Sequence, residues 1–442
     1  MTAWSDTPGA TGQRADDSSG TDSIYDADTL ADLSRRLEKF SRTEDPAALW
    51  PGLNDAERVG AALEIERVTR VVLGGSSSVG LDPQCVHSAY ALAIAGHTTG
   101  IGPLLGRWIE DGVVSATPSV AKRFTEHLRH ARLRAARIER EVLPAIDAMI
   151  ARDLRPVMLK GFHTARRYFE EPAVRRMSDV DVLIPDDRER VAAAALEGAG
   201  FRVATRTTPT HKRDWIGPGV EDRVFSVELS DARTRWTLEL HTSLDRRVEA
   251  GSVARLDAER EHLDWTELAG RRLAVLAPAP LLVVLACHCS EELGSSRLLR
   301  LVEIVRVIRN ERAAGRLDWD EVLAILDRSG AARFAYPALT LAENLAPGTV
   351  DARTLALGER RSTWAARHTT ARLVPSGGSL DERGLIRQFM WTRGPTGLLQ
   401  RFLRKVRPVS DRPQDVASRL RADVRRLRAG VLTLRAPDER NR

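Results

Sequence analysis

The sequence predicts an α+β fold, in which a small mixed-sheet core is flanked by N-terminal and C-terminal helical regions. Two observations predict it. Apolar residues recur with helical spacing before residue 153 and again after residue 273. Between these regions, short apolar runs alternate with polar residues and stop at glycine or proline, as strands do. The sheet is therefore expected in the middle of the chain.

The predicted helices share apolar residues three or four positions apart. They cover residues 56–72, 84–95, 120–151, 280–292, 298–310 and 319–328. The first three fall in an N-terminal helical region at 45–153, and the last three in a C-terminal helical region at 273–345.

The core is expected at residues 154–272, where the sequence period changes. Its predicted strands are 156–159, 180–184, 201–205, 223–229 and 236–241. Helices are predicted at 162–169, where Pro172 prevents further extension, and at 188–198, which ends in glycine as a C-terminal cap should.

The two ends of the chain differ in character from the rest. Residues 1–25 are acidic and polar and are predicted to be disordered. Residues 346–442 are expected to form an irregular segment and a basic tail, with an amphipathic helix at 413–434. The tail explains the overall charge of +6, because residues 401–442 hold 13 Lys+Arg and 5 Asp+Glu, a net of +8. The remaining 400 residues therefore carry a net of −2, which does not indicate a nucleic-acid-binding core.

Composition places the chain among folded proteins without a membrane span. Of its 442 residues, 43% are hydrophobic, yet no apolar run is long enough to cross a bilayer. No secretory signal is visible at the N-terminus, so a cytoplasmic location is expected. Cys287-His288-Cys289 does not have the spacing of a zinc site, and we interpret its cysteines as buried helix thiols.

Two aspartates on a predicted strand are the strongest chemical signal. Side chains alternate across a strand, so Asp179 and Asp181 project from the same face. Adjacent carboxylates repel each other unless a cation lies between them, and Mg²⁺ prefers such oxygen ligands. The pattern predicts a divalent metal site, and a solvated pair at the strand end is the alternative.

These residues belong to a longer ordered pattern that resembles a known family. The pattern contains Leu159-Lys160-Gly161, Arg175 upstream of the Asp179-Val180-Asp181 strand, Gly200-Phe201 and Glu239-Leu240-His241. It resembles the nucleotidyltransferase superfamily that includes DNA polymerase β, and more narrowly an uncharacterised bacterial nucleotidyltransferase-like family with a Leu-Lys-Gly motif. The resemblance covers about residues 91–330. Phe162 after the turn glycine and the long gap to Asp179 depart from the wider superfamily.

The resemblance implies a set of metal ligands. Asp179, Asp181 and Glu239 would hold Mg²⁺ or Mn²⁺ and catalyse the reaction, with Glu239 activating an acceptor hydroxyl. Alternation on the predicted strand also places Glu239 and His241 on one polar face. For Glu239, the structural alternative is an ion pair with a nearby arginine.

The phosphate-binding residues are expected around the glycine turn. They are Lys160, Gly161, Arg175 and Ser178. Gly161 permits a tight turn, and the following helix presents backbone amides suited to a triphosphate. His241 and His211 are expected to contact substrate or to orient the carboxylates. The alternatives are a surface lysine at Lys160 and an ordinary surface histidine at His211.

The function implied is transfer of a nucleoside monophosphate from an NTP to a hydroxyl of a small molecule, peptide or protein. The NTP and this unidentified acceptor are the expected partners. One alternative is a catalytically inactive binding or regulatory protein that keeps the fold. Another is a membrane or nucleic-acid adaptor that acts through the basic tail.

Overall fold

The structure, a computed structural model, describes residues 27–43, 45–75, 78–81, 88–204, 212–221, 223–248, 252–256, 262–291, 293, 297–377 and 390–391. The chain divides into two compact units, Met1–Pro51 and Gly52–Arg442. In the described part of the first unit, the helix α1 (Ala27–Thr43) is followed by a 3-10 turn at Pro46–Ala48.

Helices lead into the sheet of the second unit. They are α2 (Asp55–Leu73), α3 (Ala89–Thr99), α4 (Gly102–Glu110) and α5 (Pro118–Ile150). Asn54 caps α2 in a capping box, because its side chain accepts from the Glu57 amide and the Glu57 carboxylate accepts from the Asn54 amide. A short parallel ladder joins β1 (Val79–Gly80) to β2 (Val114–Ser115).

A seven-stranded mixed sheet forms the centre of this unit. Its strands are β3 (Val157–Met158), β4 (Asp179–Leu183), β5 (Arg202–Val203), β6 (Lys212–Ile216), β7 (Thr237–His241), β10 (Leu263–Leu268) and β11 (Arg271–Leu276). Their spatial order is β10-β11-β3-β4-β7-β6-β5. The pairs β4–β7 and β11–β3 are parallel and the others antiparallel. A separate antiparallel hairpin joins β8 (Arg246–Val248) to β9 (Ser252–Ala254). The predicted fold class is confirmed.

The central strands have one apolar and one polar face. Val180, Val182, Leu238, Leu240 and Trp215 point to the apolar face and are fully buried. They share a core cluster with apolar side chains of α5. Burial of each such side chain stabilises the fold by about 2 kcal/mol. The opposite face of the same strands is left for polar side chains.

The remaining helices lie within and after the core. They are α6 (Phe162–Arg167), α7 (Glu189–Gly198), α8 (Pro278–Glu291), α9 (Arg297–Ala313), α10 (Trp319–Arg328), α11 (Ala332–Leu345), α12 (Ala352–Arg361) and α13 (Trp364–Thr370). Cys287 and Cys289 are buried in α8, as expected. Within the described residues, no helix combines the length and the apolar character that crossing a membrane requires.

One predicted strand is wrong. Residues 223–229 form no strand, although their side chains alternate. The Ser226 hydroxyl accepts hydrogen bonds from the amides of Glu228 and Leu229, at 3.0 and 3.2 Å, and so turns the chain. The strand next to β7 is β6 instead, which the sequence pattern did not indicate.

The segment predicted to be irregular contains two helices. Asp351 begins α12 by accepting from the Thr354 amide, and Thr363 begins α13 by accepting from the Ala366 amide. Polar residues that look like loop residues in the sequence therefore act as N-terminal caps.

Several predictions concern residues outside the described ranges. These are the disorder of residues 1–25, the helix at 413–434 in the basic tail, and any role of His211. The domain limits at residues 153, 272 and 345 stay predictions.

Candidate active site

A tight turn brings Lys160 and Gly161 to the start of the aspartate strand. β3 pairs antiparallel with β4, and the Leu159 amide donates to the Asp181 carbonyl at 3.2 Å. Gly161 then turns the chain with φ 61° and ψ −86° into α6. A Cβ atom at Gly161 would lie 3.4 Å from Arg175 Nη1 and 3.6 Å from the Asp179 carbonyl oxygen. These are ordinary contacts, so glycine is favoured here by the positive φ angle.

Three carboxylates lie side by side across the centre of the sheet. Asp181 on β4 is directly opposite Glu239 on β7, and Glu239 is directly opposite Asp214 on β6. Asp179 lies two residues before Asp181 and therefore on the same face. The sheet register thus brings together the three predicted carboxylates and adds a fourth.

Lys160 lies between the two aspartates. Its Nζ is 2.6 Å from Asp181 Oδ2 and 3.7 Å from Asp179 Oδ2. The lysine is only 3% exposed, so the surface-lysine alternative is wrong. A buried ammonium is stable here because two carboxylates compensate its charge.

His241 and Lys212 continue the alternation of charges toward β6. His241 Nε2 lies 3.0 Å from Asp181 Oδ1 and 3.4 Å from Glu239 Oε2. Lys212 Nζ lies 2.7 Å from Glu239 Oε1 and 3.7 Å from Asp214 Oδ1. The partner of Glu239 is therefore this lysine and not an arginine. The alternating set, which we name the charged row, comprises Asp179, Lys160, Asp181, His241, Glu239, Lys212 and Asp214.

The two aspartates have opposite pKa shifts. Burial raises the pKa of Asp179, and the charges of Asp181 and Glu239 add to this effect against the opposing charge of Lys160. Burial would also raise the pKa of Asp181, but Lys160 and His241 outweigh it and hold that pKa well below its usual range. Asp181 is therefore ionised at neutral pH, whereas Asp179 is the carboxylate that protonates first.

The neighbouring groups are held in their charged forms. Burial would lower the pKa of Lys160, but the three predicted carboxylates raise it above its usual value. Burial likewise opposes the charge on His241, and its bonds to Asp181 and Glu239 raise its pKa. Burial would raise the pKa of Glu239, but its bond to His241 and the nearby lysines lower it.

Arg175 is engaged in a buried ion pair. Its Nε and Nη2 donate to the two carboxylate oxygens of Glu303 at 3.1 and 3.0 Å. The Thr164 hydroxyl also donates to Glu303, so α9 is joined both to α6 and to the segment that follows α6. This geometry directs the guanidinium toward α9, and a phosphate contact by Arg175 stays a prediction.

Ser178 lies at the exposed end of the site. Its hydroxyl donates to Asp179 Oδ1 at 3.4 Å. The side chain is accessible, in contrast to those of Lys160 and Asp181.

Three residues of the site were missed by sequence reasoning. Lys212 and Asp214 lie on one face of β6, but Arg213 between them is also polar, so the segment lacks the alternation that indicates a strand. Glu303 gives no local signal. It lies in α9, which is buried on most sides, and only the tertiary structure reveals its partner Arg175.

One group of side chains in the described part of the chain fits a metal ion. Asp181, Glu239 and His241 each offer a ligand atom, and these atoms lie within 4.8 Å of one another. Two carboxylates and an imidazole suit Mn²⁺ and related ions, whereas Mg²⁺ prefers oxygen ligands alone. The predicted third ligand was Asp179, but the third member of this group is His241. Metal binding by Asp179 stays a prediction.

Comparisons with known proteins connect the chain to one family. A family model described as an uncharacterised nucleotidyltransferase matches residues 88–347, more than half of the chain. A search of curated proteins finds no match.

Two solved structures are similar to part of the chain. The antibiotic-resistance factor ANT(2'')-Ia has 13% sequence identity and a TM-score of 0.30, and the match covers 46% of this chain and 95% of that chain. An antigenic nucleotidyltransferase-like protein from Paracoccidioides brasiliensis has 14% identity and a TM-score of 0.27, with 47% and 92% covered.

Proposed function

Because this chain belongs to a family of uncharacterised nucleotidyltransferases, we propose that it transfers a nucleoside monophosphate from an NTP to an acceptor hydroxyl. The observation that carries this proposal is the register of β4 and β7, which places Asp181 opposite Glu239. Asp179 lies on the same face, and the Gly161 turn lies at the start of this strand. The cytoplasmic location stays a prediction.

Asp181, Glu239 and His241 are the residues we assign to hold a divalent ion, Mg²⁺ or Mn²⁺. Asp179 would complete the ligand set from the adjacent position on β4. When bound, such an ion would neutralise phosphate oxygens and stabilise charge that develops on the attacking and leaving oxygens.

Side chains of the site would accept the proton of the acceptor hydroxyl and keep Asp181 ionised. Glu239 has a lowered pKa, so it is ionised at neutral pH and can accept the proton of the acceptor hydroxyl. The hydroxyl oxygen then forms a bond to the α-phosphorus, the bond to the β-phosphate oxygen breaks, and pyrophosphate leaves. Lys160, which is buried against Asp181, would keep that carboxylate ionised and oriented.

A screen for pyrophosphate release tests this proposal. The protein is incubated with each of four NTPs, Mg²⁺ or Mn²⁺, and candidate acceptors. We expect slow pyrophosphate release that Asp181→Asn reduces by at least about 100-fold, because it removes a charged ligand of the site. Asp327→Asn is the matched control, since Asp327 pairs with Arg361 at the surface and should leave the rate unchanged. Equal release by Asp181→Asn and the wild type would contradict the proposal.

A second candidate function is favoured by one observation. Each carboxylate of the charged row has a cationic side chain within 3.7 Å, so three cations offset most of the charge of four carboxylates without a metal. A binding or regulatory protein would have this property. In that case NTP would bind in the presence of a chelator, and no pyrophosphate would be released with any acceptor.

A further inference from the structure

One buried side chain of α5 binds the entries of both strands that contain the predicted carboxylates. Arg134 Nε donates to the Met177 carbonyl and Nη2 donates to the Arg235 carbonyl, each at 2.8 Å. Met177 lies two residues before the first residue of β4, and Arg235 lies two residues before that of β7. Since the first residues of these parallel strands are paired, the two carbonyls occupy equivalent positions. The guanidinium therefore connects β4 to β7 at the point where the strands begin.

The third nitrogen of this guanidinium binds the loop that leads into β7. Arg134 Nη1 donates to the Asp231 carbonyl at 3.3 Å and to the Thr234 carbonyl. All three nitrogens are thus bonded to backbone oxygens. Because a guanidinium is planar and its N–H donors have fixed directions, the carbonyls that it binds are held in fixed positions relative to one another.

The charge of Arg134 is compensated by these carbonyls and not by an acidic partner. In the described part of the chain no carboxylate forms an ion pair with Arg134, which lies on the buried face of α5 and is only 5% exposed. Burial and the charges of Arg176 and Arg137 lower its pKa to about 10, so it is still charged at neutral pH. A buried cation is costly unless it is hydrogen-bonded, so the four carbonyl bonds are what make this position tolerable.

The register of β4 and β7 decides whether the proposed metal ligands can converge. Asp181 lies directly opposite Glu239, and together with His241 they offer ligand atoms within 4.8 Å of one another. A shift of one residue between the strands would move Glu239 to the apolar face of the sheet. A shift of two residues would keep it on the polar face but displace it by about 6.6 Å.

We propose that Arg134 is a positioning residue, which fixes the register of β4 and β7 and thereby holds Asp181 and Glu239 in the arrangement that binds the metal ion. This inference rests on the proposed function, because the metal ion belongs to it. Arg134 acts through the backbone of the two strands, so the directions of its N–H donors matter more than its charge.

Arg137 provides a matched comparison on the same helix. Its Nη1 donates to the Ala232 and Arg233 carbonyls at 3.3 and 3.2 Å, and its Nε donates to Glu141 at 2.9 Å. Arg137 therefore holds the same loop before β7. Among the described residues, it makes no hydrogen bond to the segment before β4, in contrast to Arg134.

Hydrogen exchange of the full-length, metal-free protein, measured by mass spectrometry, tests the effect on the strands. In Arg134→Met we expect the amides of β4 and β7 to exchange at least about tenfold faster, because the four carbonyls lose their donor. β10 and β11 of the same sheet should exchange as in the wild type, and Arg137→Met should leave β4 unchanged. Uniform acceleration of all strands would overturn the inference, since it indicates general destabilisation.

Titration with Mn²⁺ alone tests the effect on the site. We expect the Kd for Mn²⁺ to rise about 10- to 100-fold in Arg134→Met, as when a group that orients metal ligands is lost. Arg134→Lys should show a smaller rise, because its charge is kept but all its donors come from one atom. If Arg134→Met does not fold, both measurements on Arg134→Lys decide the question. Arg137→Met should bind Mn²⁺ like the wild type.

A purely structural role would change the free energy of unfolding in urea but not the Kd of the folded protein. Wild-type Mn²⁺ affinity in the folded Arg134 variants, or an equal loss in Arg137→Met, would therefore overturn the inference. A wild type that binds no Mn²⁺ contradicts the metal site of the proposed function, which is a distinct outcome.

Discussion

At the residue scale, the central feature is Lys160, whose ammonium occupies the position between two aspartates. Its Nζ lies 2.6 Å from Asp181, and both groups are buried. The lysine allows the carboxylates to be buried side by side before any ligand binds. Removal of the lysine therefore exposes the repulsion that a metal ion would have to relieve.

Lys160→Met should destabilise the protein by about 3 kcal/mol without metal, because it leaves a buried carboxylate uncompensated. Part of this loss should return when Mn²⁺ is added, since the cation would replace the lost charge. Urea unfolding with and without Mn²⁺ measures both effects. Lys122→Met, at an exposed position of α5, should change the unfolding free energy by less than about 0.5 kcal/mol. An unchanged free energy for Lys160→Met would show that the ammonium does not stabilise the aspartates.

At the element scale, α9 holds the glycine turn in place. Glu303 accepts from Thr164, which lies within α6, and from Arg175, which follows α6 in the sequence. The Arg175 guanidinium in turn lies against Gly161. The turn is therefore supported by a helix more than 120 residues away in the sequence.

Glu303→Gln should destabilise the fold by about 3 kcal/mol, because Arg175 keeps its charge in a buried position without its partner. The control is Glu170→Gln, since Glu170 pairs with Arg306 in a more exposed position and should cost less than about 1 kcal/mol. Unfolding in urea gives the two free energies. A smaller loss for Glu303→Gln than for Glu170→Gln would contradict this role of α9.

The elements that could be predicted are those whose own residues show a clear strand or helix pattern. β4 and β7 were predicted because buried apolar residues alternate with polar ones within each strand. β6 was missed because it begins with Lys212, Arg213 and Asp214, which look like loop residues. The same distinction holds for the residues of the site. Asp179, Asp181 and Glu239 were identifiable from their strands, whereas Glu303 depends on a distant contact.

At the scale of the whole molecule, buried histidines make stability depend on pH. Burial and nearby arginines lower the pKa of His127 and of His163 to about 3. Both rings are therefore neutral in the folded protein. In the unfolded chain, each histidine ring is protonated when the pH falls below its ordinary pKa of 6.5. A folded pKa below the unfolded one means that stability is lost as the pH falls.

Between pH 7 and pH 5, each of these histidines should reduce the unfolding free energy by about 2 kcal/mol. His163→Phe should therefore reduce the stability lost over this pH range by about 2 kcal/mol. Urea unfolding at several pH values, with the protein free of metal, measures it. A slope that is identical in the wild type and in His163→Phe would show that this ring is not the source of the pH dependence.

Calorimetric titration with NTP in the presence of Mg²⁺ or Mn²⁺ tests the proposed metal and nucleotide site most directly. We expect the wild type to bind NTP only with the metal. Asp181→Asn and Glu239→Gln should each weaken binding at least about tenfold through loss of a charged ligand. Asp327→Asn should bind like the wild type. Absence of NTP binding by the wild type, or unchanged binding by both variants, would show that the charged row is not a metal-dependent nucleotide site.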